Sequence, residues 1–305
     1  MCVNLRSGWR RFFVFLLLFI VVTGCNKSES PLNLLVTTDH DEYVLDEGMT
    51  LRQAIDEARA SNHASEIRFE PRIKTINLQK PLHLPSGISI MGRTRLDGGH
   101  EPRIVFEGKG SVFYLDGVQD VSIARLQITQ NSGSSPLGGD CVSVRDGATR
   151  IQIENLHVEA CHDGLIDVTT TGTELMDIII ENVVFRNHDK VMLVSAPVGI
   201  QSFCEPPIIN LTVRSAHFIG TGQRHPRVSG RVLVKLQDSR VDYAPFQRPD
   251  GVGAAYGVYA DNGGSVIISN THINPLNQSV KRKDWSHSDD RCTSIIRRGH
   301  KSKAL

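Results

Sequence analysis

Eight residues, Ile151-Gln-Ile-Glu-Asn-Leu-His-Val158, contain the pattern that decides the fold of this chain. Apolar residues stand at the first, third, sixth and eighth positions, and a polar pair stands at the fourth and fifth. Such alternation is typical of a strand that buries one face, and the polar pair predicts a tight bend between two short strands. The octet recurs, with the sixth position least strict, at residues 121–128, 178–185, 211–218, 234–241 and 266–273.

The spacing of the octets predicts a solenoid. Successive octets begin between 23 and 33 residues apart, and a repeat of this length made of strands and turns is typical of stacked coils. A single coil cannot bury its apolar face, whereas stacked coils bury a continuous apolar column and pair their strands in parallel. An antiparallel sandwich is the alternative, but the recurring octet and the lack of two-residue hairpin turns favour an all-β solenoid.

A short helix is expected before the first coil. Thr50 and Gln53 fit a capping box, in which each side chain bonds the backbone of the other residue. The spacing of the apolar residues that follow predicts an amphipathic helix over 51–60, which would cap the open end of the solenoid. These apolar residues are Leu51, Ala54, Ile55 and Ala58.

The N-terminus is typical of an exported protein. Basic residues precede an apolar run at 12–22, which is too short for a comfortable membrane span and suits a signal peptide over 1–24. Val22-Thr-Gly-Cys25 resembles a bacterial lipobox, so we expect lipidation of Cys25 and attachment to a membrane surface, in the outer membrane or periplasm or at the cell surface. An ordinary signal peptide and a secreted protein are the alternative. The polar stretch 25–49 is interpreted as the lipidated N-terminus and a tether.

Charge and cysteine content exclude some classes of function. The 34 Lys and Arg nearly balance the 33 Asp and Glu, so no general attraction to nucleic acid is expected. Four cysteines follow Cys25, and an exported protein permits disulfides between them, although the pairing cannot be deduced. No CxxC is present, which argues against a thiolate zinc site. The basic stretch 276–305 lacks the octet and is interpreted as a tail outside the solenoid. The four cysteines are Cys141, Cys161, Cys204 and Cys292.

Two carboxylates suggest a cation site. In Asp163-Gly-Leu-Ile-Asp167-Val168 the two Asp residues are four apart in a run rich in β-formers, so a strand would place them on the same face. Like charges held this close are unfavourable unless a cation or a proton joins them. A surface strand with solvated Asp residues is the alternative.

The octets give these residues a common register. Asp140 and Asp167 each lie 11 residues before the next octet, and Arg224 lies 10 before a later one. Lys190 lies 21 before its octet, and part of that distance is a predicted insertion. Because neighbouring parallel strands are about 4.8 Å apart, Asp140, Asp163 and Asp167 are expected to converge on one ion, for which Ca²⁺ suits an all-oxygen ligand set. Lys190 and Arg224 would continue as a basic track for an anionic polymer; a surface charge ladder is the alternative.

Four segments, in order, resemble the pectate lyase family, whose members fold as a right-handed parallel β-helix. The likeness covers about residues 50–275, and it implies that this domain is a single-stranded right-handed parallel β-helix with a short N-terminal capping helix. The segments are Asp140-Cys-Val-Ser-Val144, Asp163-Gly-Leu-Ile-Asp-Val168, His188-Asp-Lys-Val-Met-Leu193 and Arg224-His-Pro226.

The resemblance also implies an activity, the Ca²⁺-dependent β-elimination of polygalacturonate (pectate). The enzyme is expected to be a monomer. Asp140, Asp163 and Asp167 would be the calcium ligands, Lys190 would bind the substrate carboxylate and assist catalysis, and Arg224 would remove the proton at C5. Alternatives are a lyase or epimerase that acts on another uronate polymer, and a non-catalytic polysaccharide-binding β-helix.

Two positions depart from the family pattern. A second substrate-binding arginine of the family corresponds here to Ser229, and Arg227 or Arg231 is expected to bind substrate in its place. The first Asp of a frequent Asp-x-Asp calcium pair corresponds to Gly138, which leaves Asp140 alone from that coil.

Overall fold

A computed structural model describes residues 30–42, 48–61, 63–131, 139–199, 204–243, 256–274, 283–287 and 292–298. Pro31–Leu305 forms one compact unit. The predicted signal peptide, the predicted lipidation site Cys25, and Gly138 lie outside the described residues. In the described part of the chain, no helix is long and apolar enough to cross a membrane.

Short strands make up nearly all of the regular structure. The first elements are β1 (Leu32–Val36), α1 (Leu51–Ser61), β2 (Ser65–Phe69), β3 (Thr75–Leu78), β4 (Leu82–His83), β5 (Ile88–Met91), β6 (Arg93–Thr94), β7 (His100–Glu101) and β8 (Arg103–Phe106). The next are β9 (Phe113–Asp116), β10 (Gln119–Ala124), β11 (Gln127–Gln130), β12 (Val142–Arg145), β13 (Thr149–Glu154), β14 (His157–Glu159), β15 (Ile166–Thr169), β16 (Met176–Glu181), β17 (Val184–Arg186) and β18 (Leu193–Ser195). The last are β19 (Ile209–Arg214), β20 (His217–Thr221), β21 (Arg227–Ser229), β22 (Val232–Gln237), β23 (Arg240–Tyr243), β24 (Tyr256–Asp261), β25 (Ser265–Ser269), β26 (His272–Ile273), β27 (Lys283–His287) and β28 (Ser294–Arg298).

The strands stack into three long parallel sheets. The first sheet has the order β1-β2-β5-β10-β13-β16-β19-β22-β25-β28. The second runs β26-β23-β20-β17-β14-β11-β8-β3, and the third runs β27-β24-β21-β18-β15-β12-β9-β4. Each complete coil gives one strand to each sheet, and only the short pair β6 and β7 is antiparallel among the described strands. The predicted all-β parallel β-helix is therefore confirmed.

The fourth and fifth residues of each octet form the bend between the first and second sheets. The fifth residue of every octet has a left-handed backbone, which Asn and Asp tolerate better than most residues. The bends also stack, because the Asn155 N–H donates to the Glu181 carbonyl at 2.9 Å and the Asn182 N–H donates to the Arg214 carbonyl at 3.1 Å. The φ angles are 58° at Arg125, 54° at Asn155, 53° at Asn182, 52° at Ser215, 48° at Asp238 and 46° at Asn270.

The apolar positions of the octets fill the interior. In the octet 151–158 all four apolar side chains are buried, and those of the next coil lie directly above them. Phe185 and Phe218 stack with ring centroids 4.9 Å apart, so aromatic rings continue the column from coil to coil. Burial of apolar surface contributes about 25 cal/mol per Å² to folding stability. Because a single coil cannot bury its apolar face, the column shared by stacked coils supplies the main stabilisation that one coil lacks.

The predicted helix is present and covers the start of the solenoid. The Thr50 N–H donates to Gln53 Oε1 at 2.8 Å, and the Gln53 N–H donates to Thr50 Oγ1 at 3.1 Å, which completes the capping box. All four predicted apolar residues of α1 are buried. The helix packs on β1 and β2, at the end of the first sheet.

The β-helix extends beyond both predicted boundaries. The interpretation of 25–49 as a tether is wrong for β1, which pairs with β2 and buries Leu34 and Val36. The interpretation of 276–305 as a tail is wrong for β27 and β28, which pair with β24 and β25. Terminal strands need no octet, because the exposed edge of an existing sheet supplies the partner for their backbone.

Two disulfides join the four cysteines of the domain. Cys141 pairs with Cys161 on the next coil, and Cys204 pairs with Cys292, which is 88 residues away in sequence. The second pair ties the segment before β19 to the segment before β28.

Candidate functional site

The outward-facing residues of the third sheet form a continuous surface, called the site face here. Side chains alternate along each strand, so the residues between buried valines and isoleucines point outward. Strand pairing aligns one such residue from each coil in a single row. In order, the row is His83, Tyr114, Ser143, Asp167, Leu193, Arg227 and Tyr259.

Asp140 and Asp167 converge on Gly164. The Gly164 N–H donates to Asp140 Oδ1 at 3.0 Å, and the Leu193 N–H donates to Asp167 Oδ1 at 2.8 Å. A Cβ added to Gly164 would lie 2.8 Å from the Oδ1 atoms of both carboxylates, closer than real Cβ contacts. Glycine is therefore needed here so that two buried carboxylates can approach the same point from neighbouring coils.

Burial makes the charged forms of these two carboxylates unfavourable. It raises the pKa of Asp140 to about 6, and the charge of Asp163 adds to the effect. Burial also raises the pKa of Asp167 to about 8, with the charge of Asp140 as the next cause. A proton or a bound cation would relieve this repulsion, so the pair has the electrostatics of a cation site.

Asp163 is held differently from the other two carboxylates. Lys190 Nζ forms an ion pair with Asp163 Oδ1, and the Asp163 side chain is 49% exposed. Burial acts to raise the pKa of Asp163, but the hydrogen bond and charge of Lys190, with the charge of Arg224, hold it below its usual value.

The structure brings two of the three predicted calcium ligands together, and the three-ligand site stays a prediction. Across the described residues, no three His, Cys, Asp or Glu side chains gather closely enough to form a metal cluster. Two carboxylates converge at Gly164, and the third is paired with Lys190 because a lysine on the next coil lies within reach. Asp140 and Asp167 fit a hard divalent cation, since both offer only oxygen atoms and both are destabilised by negative charge.

His188 fixes the turn that carries Lys190. The Lys190 N–H donates to His188 Nδ1 at 3.1 Å, and His188 Nε2 bonds the Cys161 carbonyl of the preceding coil. Burial lowers the pKa of His188, which favours a neutral ring. His188 therefore orders the turn between neighbouring coils.

Arg224 is close enough for its charge to act on all three carboxylates. Its positive charge acts to lower the pKa of Asp140, Asp163 and Asp167. Arg224 has a left-handed backbone, with φ 61°, and its carbonyl accepts a hydrogen bond from the Met192 N–H at 3.0 Å. Its Nε is buried and has no hydrogen-bond partner among the described residues.

Gln223, which sequence reasoning did not identify, ties the Arg224 segment to the Lys190 segment. The Gln223 N–H donates to the Asp189 carbonyl at 2.6 Å, and Gln223 Nε2 donates to Asp189 Oδ2 at 3.0 Å. Lys190 and Gln223 also form an isolated parallel bridge. The two cationic residues therefore belong to one continuous stack.

The two candidate replacements for the second arginine lie in different places. Arg227 is on the site face, where its guanidinium lies 5.7 Å from the Tyr259 ring centroid and donates to Asp261 Oδ2 at 3.1 Å. Arg231 instead forms an ion pair with Glu205 at 3.0 Å and lines a cavity of about 300 Å³. The structure thus brings Arg227, and not Arg231, into the row that contains Asp167.

Sequence reasoning also missed a cluster around Arg145. Arg145 Nε donates to Ser143 Oγ at 2.7 Å, and its guanidinium carbon lies 5.2 Å from the Tyr114 ring centroid. The Tyr114 ring stacks on His83 with centroids 4.8 Å apart and an interplanar angle of 9°. No motif marks these residues; only the register of the third sheet places them in line with Asp167.

Curated proteins that are similar to this chain are named pectate lyases. No protein-family model matches the chain. It is 32% identical over 118 residues to pectate lyase 1 of Cryptomeria japonica, covering 37% of this chain and 30% of that protein. It is 30% identical over 162 residues to pectate lyase 1 of Hesperocyparis arizonica, covering 50% of this chain and 42% of that protein. The chain thus spans less than half the length of these curated relatives.

Solved structures match over most of the chain. The major allergen from cedar pollen superposes with a TM-score of 0.56 at 21% identity, covering 91% of this chain and 82% of the allergen. A pectate lyase from Acidovorax avenae subsp. citrulli gives 0.54 at 13% identity, covering 90% and 81%. A pectate lyase bound to a hexasaccharide gives 0.53 at 14% identity, covering 87% and 80%. The chain is therefore a pectate lyase-like parallel β-helix.

Proposed function

We propose that the protein is a polysaccharide lyase that cleaves polygalacturonate by β-elimination with the help of Ca²⁺. The observation that carries the proposal is the convergence of Asp140 and Asp167 on Gly164, with Lys190 paired to Asp163. The charge of Arg224 acts on all three carboxylates. The similarity to proteins named pectate lyases supports the choice of reaction and substrate.

The reaction needs positive charge at one carboxylate of the polymer. The C5 proton of a uronate is on the carbon that carries the carboxylate. Removal of that proton leaves negative charge that is shared between C5 and the carboxylate. The electron pair then forms the C4–C5 double bond and expels the oxygen at C4, which takes up a proton as the new chain end. No oxidant or further reactant is required, so the protein has only to stabilise charge and move a proton.

Asp140 and Asp167, with Asp163, would hold the calcium ion. When bound, Ca²⁺ would supply positive charge to the uronate carboxylate and make the C5 proton more acidic. Lys190 would exchange its ion pair with Asp163 for one with the same carboxylate, because the substrate offers an equivalent anionic oxygen. Ca²⁺ and Lys190 would then both stabilise the negative charge that develops as the C5 proton leaves.

Arg224 would act on the C5 proton. A free guanidinium loses its proton only above about pH 12, so Arg224 would either take the proton in a neutral form or hold a hydroxide ion that takes it. In both cases its positive charge would stabilise the carbanion. Arg227, which lies along the same row, would bind a second carboxylate of the polymer.

The proposal includes export and a lipid anchor at Cys25, based on the N-terminal sequence. Expression of the full chain in a bacterial host with a clickable palmitate analogue should label the wild type and not Cys25→Ala. Equal labelling of the two proteins would reject the anchor. We also propose that the enzyme acts as a monomer.

The deciding experiment is turnover by the purified chain. Polygalacturonate with CaCl₂ should yield a conjugated unsaturated uronate, which is followed by its ultraviolet absorbance, and Arg224→Ala should abolish the signal. Parallel reactions with methylated pectin and with alginate separate pectate from other uronate polymers. Absence of product from all three polymers, with binding still measurable by calorimetry, would reject the lyase and favour a polysaccharide-binding protein.

A further inference from the structure

A second polar and aromatic cluster lies on the site face before the carboxylates. His83, Tyr114, Ser143 and Asp167 are paired in register on four consecutive coils. Since parallel strands are about 4.8 Å apart, Tyr114 lies roughly 10 Å from Asp167 along the solenoid. The cluster is thus close enough to Asp167 for one polymer chain to contact both.

The aromatic part of the cluster is fixed in place, with His83 exposed and Tyr114 half-buried. His83 stacks on Tyr114 with ring centroids 4.8 Å apart, and the His83 side chain is 65% exposed. The Tyr114 hydroxyl accepts a hydrogen bond from the Ser111 N–H at 3.0 Å, and the Asp116 carboxylate lies 3.8 Å from His83 Nδ1. The two rings are therefore held against each other on the site face, where their exposed atoms can contact a sugar ring.

Arg145 adds positive charge to the same place. Its guanidinium lies over the Tyr114 ring, and its Nε is fixed by Ser143 Oγ. Across the described residues no carboxylate forms an ion pair with Arg145, in contrast to Arg227 and Arg231, which are paired with Asp261 and Glu205. The charge of Arg145 also reaches the carboxylate of Asp140. Arg145 is therefore available to an anionic ligand that lies along the site face.

We propose that His83, Tyr114 and Arg145 form an accessory subsite for a uronate residue of the polymer, away from the bond that is cleaved. The sugar ring packs on Tyr114 and His83, and its carboxylate pairs with Arg145. This inference rests on the proposed function, because it takes the polymer to lie along the site face.

The test compares substrates of two lengths. A hexagalacturonate can span the accessory subsite and the carboxylates together, whereas a trigalacturonate bound at the carboxylates leaves the subsite empty. Tyr114→Ala and Arg145→Gln should each lower kcat/KM for the hexamer about tenfold, the usual effect of losing one good contact, and leave that for the trimer unchanged. Tyr114→Phe keeps the ring and should retain most of the hexamer rate. An equal effect on both oligomers, or none on the hexamer, overturns the proposal.

Two controls separate this proposal from the proposed function and from misfolding. Arg186→Gln removes an arginine from the second sheet and should change neither rate. Arg145→Gln leaves the aromatic pair in place, so its effect does not depend on the folding of a Tyr114 variant. If the wild type cleaves neither oligomer, the proposed function fails. The accessory subsite is then tested by itself, through the affinity for hexagalacturonate measured by calorimetry. Weaker binding by Arg145→Gln then supports it, and equal binding or none at all overturns it.

Discussion

Asp140 and Asp167 lie on neighbouring coils and direct their Oδ1 atoms toward one backbone position, that of Gly164. Each carboxylate keeps one hydrogen bond from a backbone N–H, and the two are held close although their charges repel. Stability therefore depends on what neutralises the pair, and this dependence can be measured without any substrate.

Calcium should stabilise the folded protein. Binding to the native state adds RT ln(1 + [L]/Kd), which is about 2.7 kcal/mol when free Ca²⁺ is 100 times its Kd. The melting temperature should rise with CaCl₂ and fall again with EDTA, and the rise should be lost in Asp140→Asn and in Asp167→Asn. Asp120→Asn, which alters an exposed carboxylate paired with Arg150, serves as the matched control. An equal calcium response in all four proteins would contradict the site.

Without calcium, the same pair should make stability fall as pH rises. The native pKa values of Asp140 and Asp167, about 6 and about 8, lie above the value near 4 of an unfolded Asp, so the native state binds protons more tightly. The stabilisation is complete below about pH 4 and is lost as pH rises through 6 and 8, with a slope of at most about 1.4 kcal/mol per pH unit per group. Urea unfolding in EDTA measures this slope. Asp167→Asn should flatten it, and an unchanged slope in that variant would contradict the assignment.

His225 should produce the opposite trend at lower pH. Its ring is fully buried, and burial lowers its pKa to about 3, below the 6.5 of an exposed histidine. The native state therefore binds the proton less tightly, so the stabilisation is present above about pH 6.5 and is lost as pH falls toward 3. With calcium bound, urea midpoints should drop over this range, and His225→Asn should reduce the drop. His272→Asn, an exposed histidine, is the control and should leave the drop unchanged.

Gly164→Ala should damage the cation site more than the fold. The new Cβ would lie 2.8 Å from both Oδ1 atoms, so the carboxylates must separate, while the apolar column of the coil is untouched. We expect destabilisation of about 1–3 kcal/mol, as for other overpacked positions, together with loss of the calcium-dependent rise in melting temperature. Retention of the full calcium response would show that the carboxylates do not act through this point.

The sequence predicted the parts of the fold that depend on local pattern. The octets mark the bend because Asn155, Asn182 and their equivalents need a left-handed backbone at a fixed position. Other parts depend on pairing between distant segments. The strand Leu32–Val36 forms because the edge of β2 is available, and the third sheet carries no octet that would reveal the alignment of Tyr114 with Asp167. Disulfide partners likewise follow only from the stacking of coils.

Arg227 and Arg231 provide a matched pair for the last prediction. They are four residues apart in sequence, but Gly230, with φ 80°, lies in the turn between β21 and the start of the first-sheet strand β22. Arg227 therefore stays on the site face beside Tyr259, and Arg231 pairs with Glu205. Since Arg227 would bind a substrate carboxylate, Arg227→Gln should raise KM for polygalacturonate about tenfold, and Arg231→Gln should leave KM within twofold of the wild type. Steady-state kinetics at saturating Ca²⁺ measures both values. The reverse order of effects would assign the missing second arginine to Arg231, and equal effects would show that neither residue replaces it.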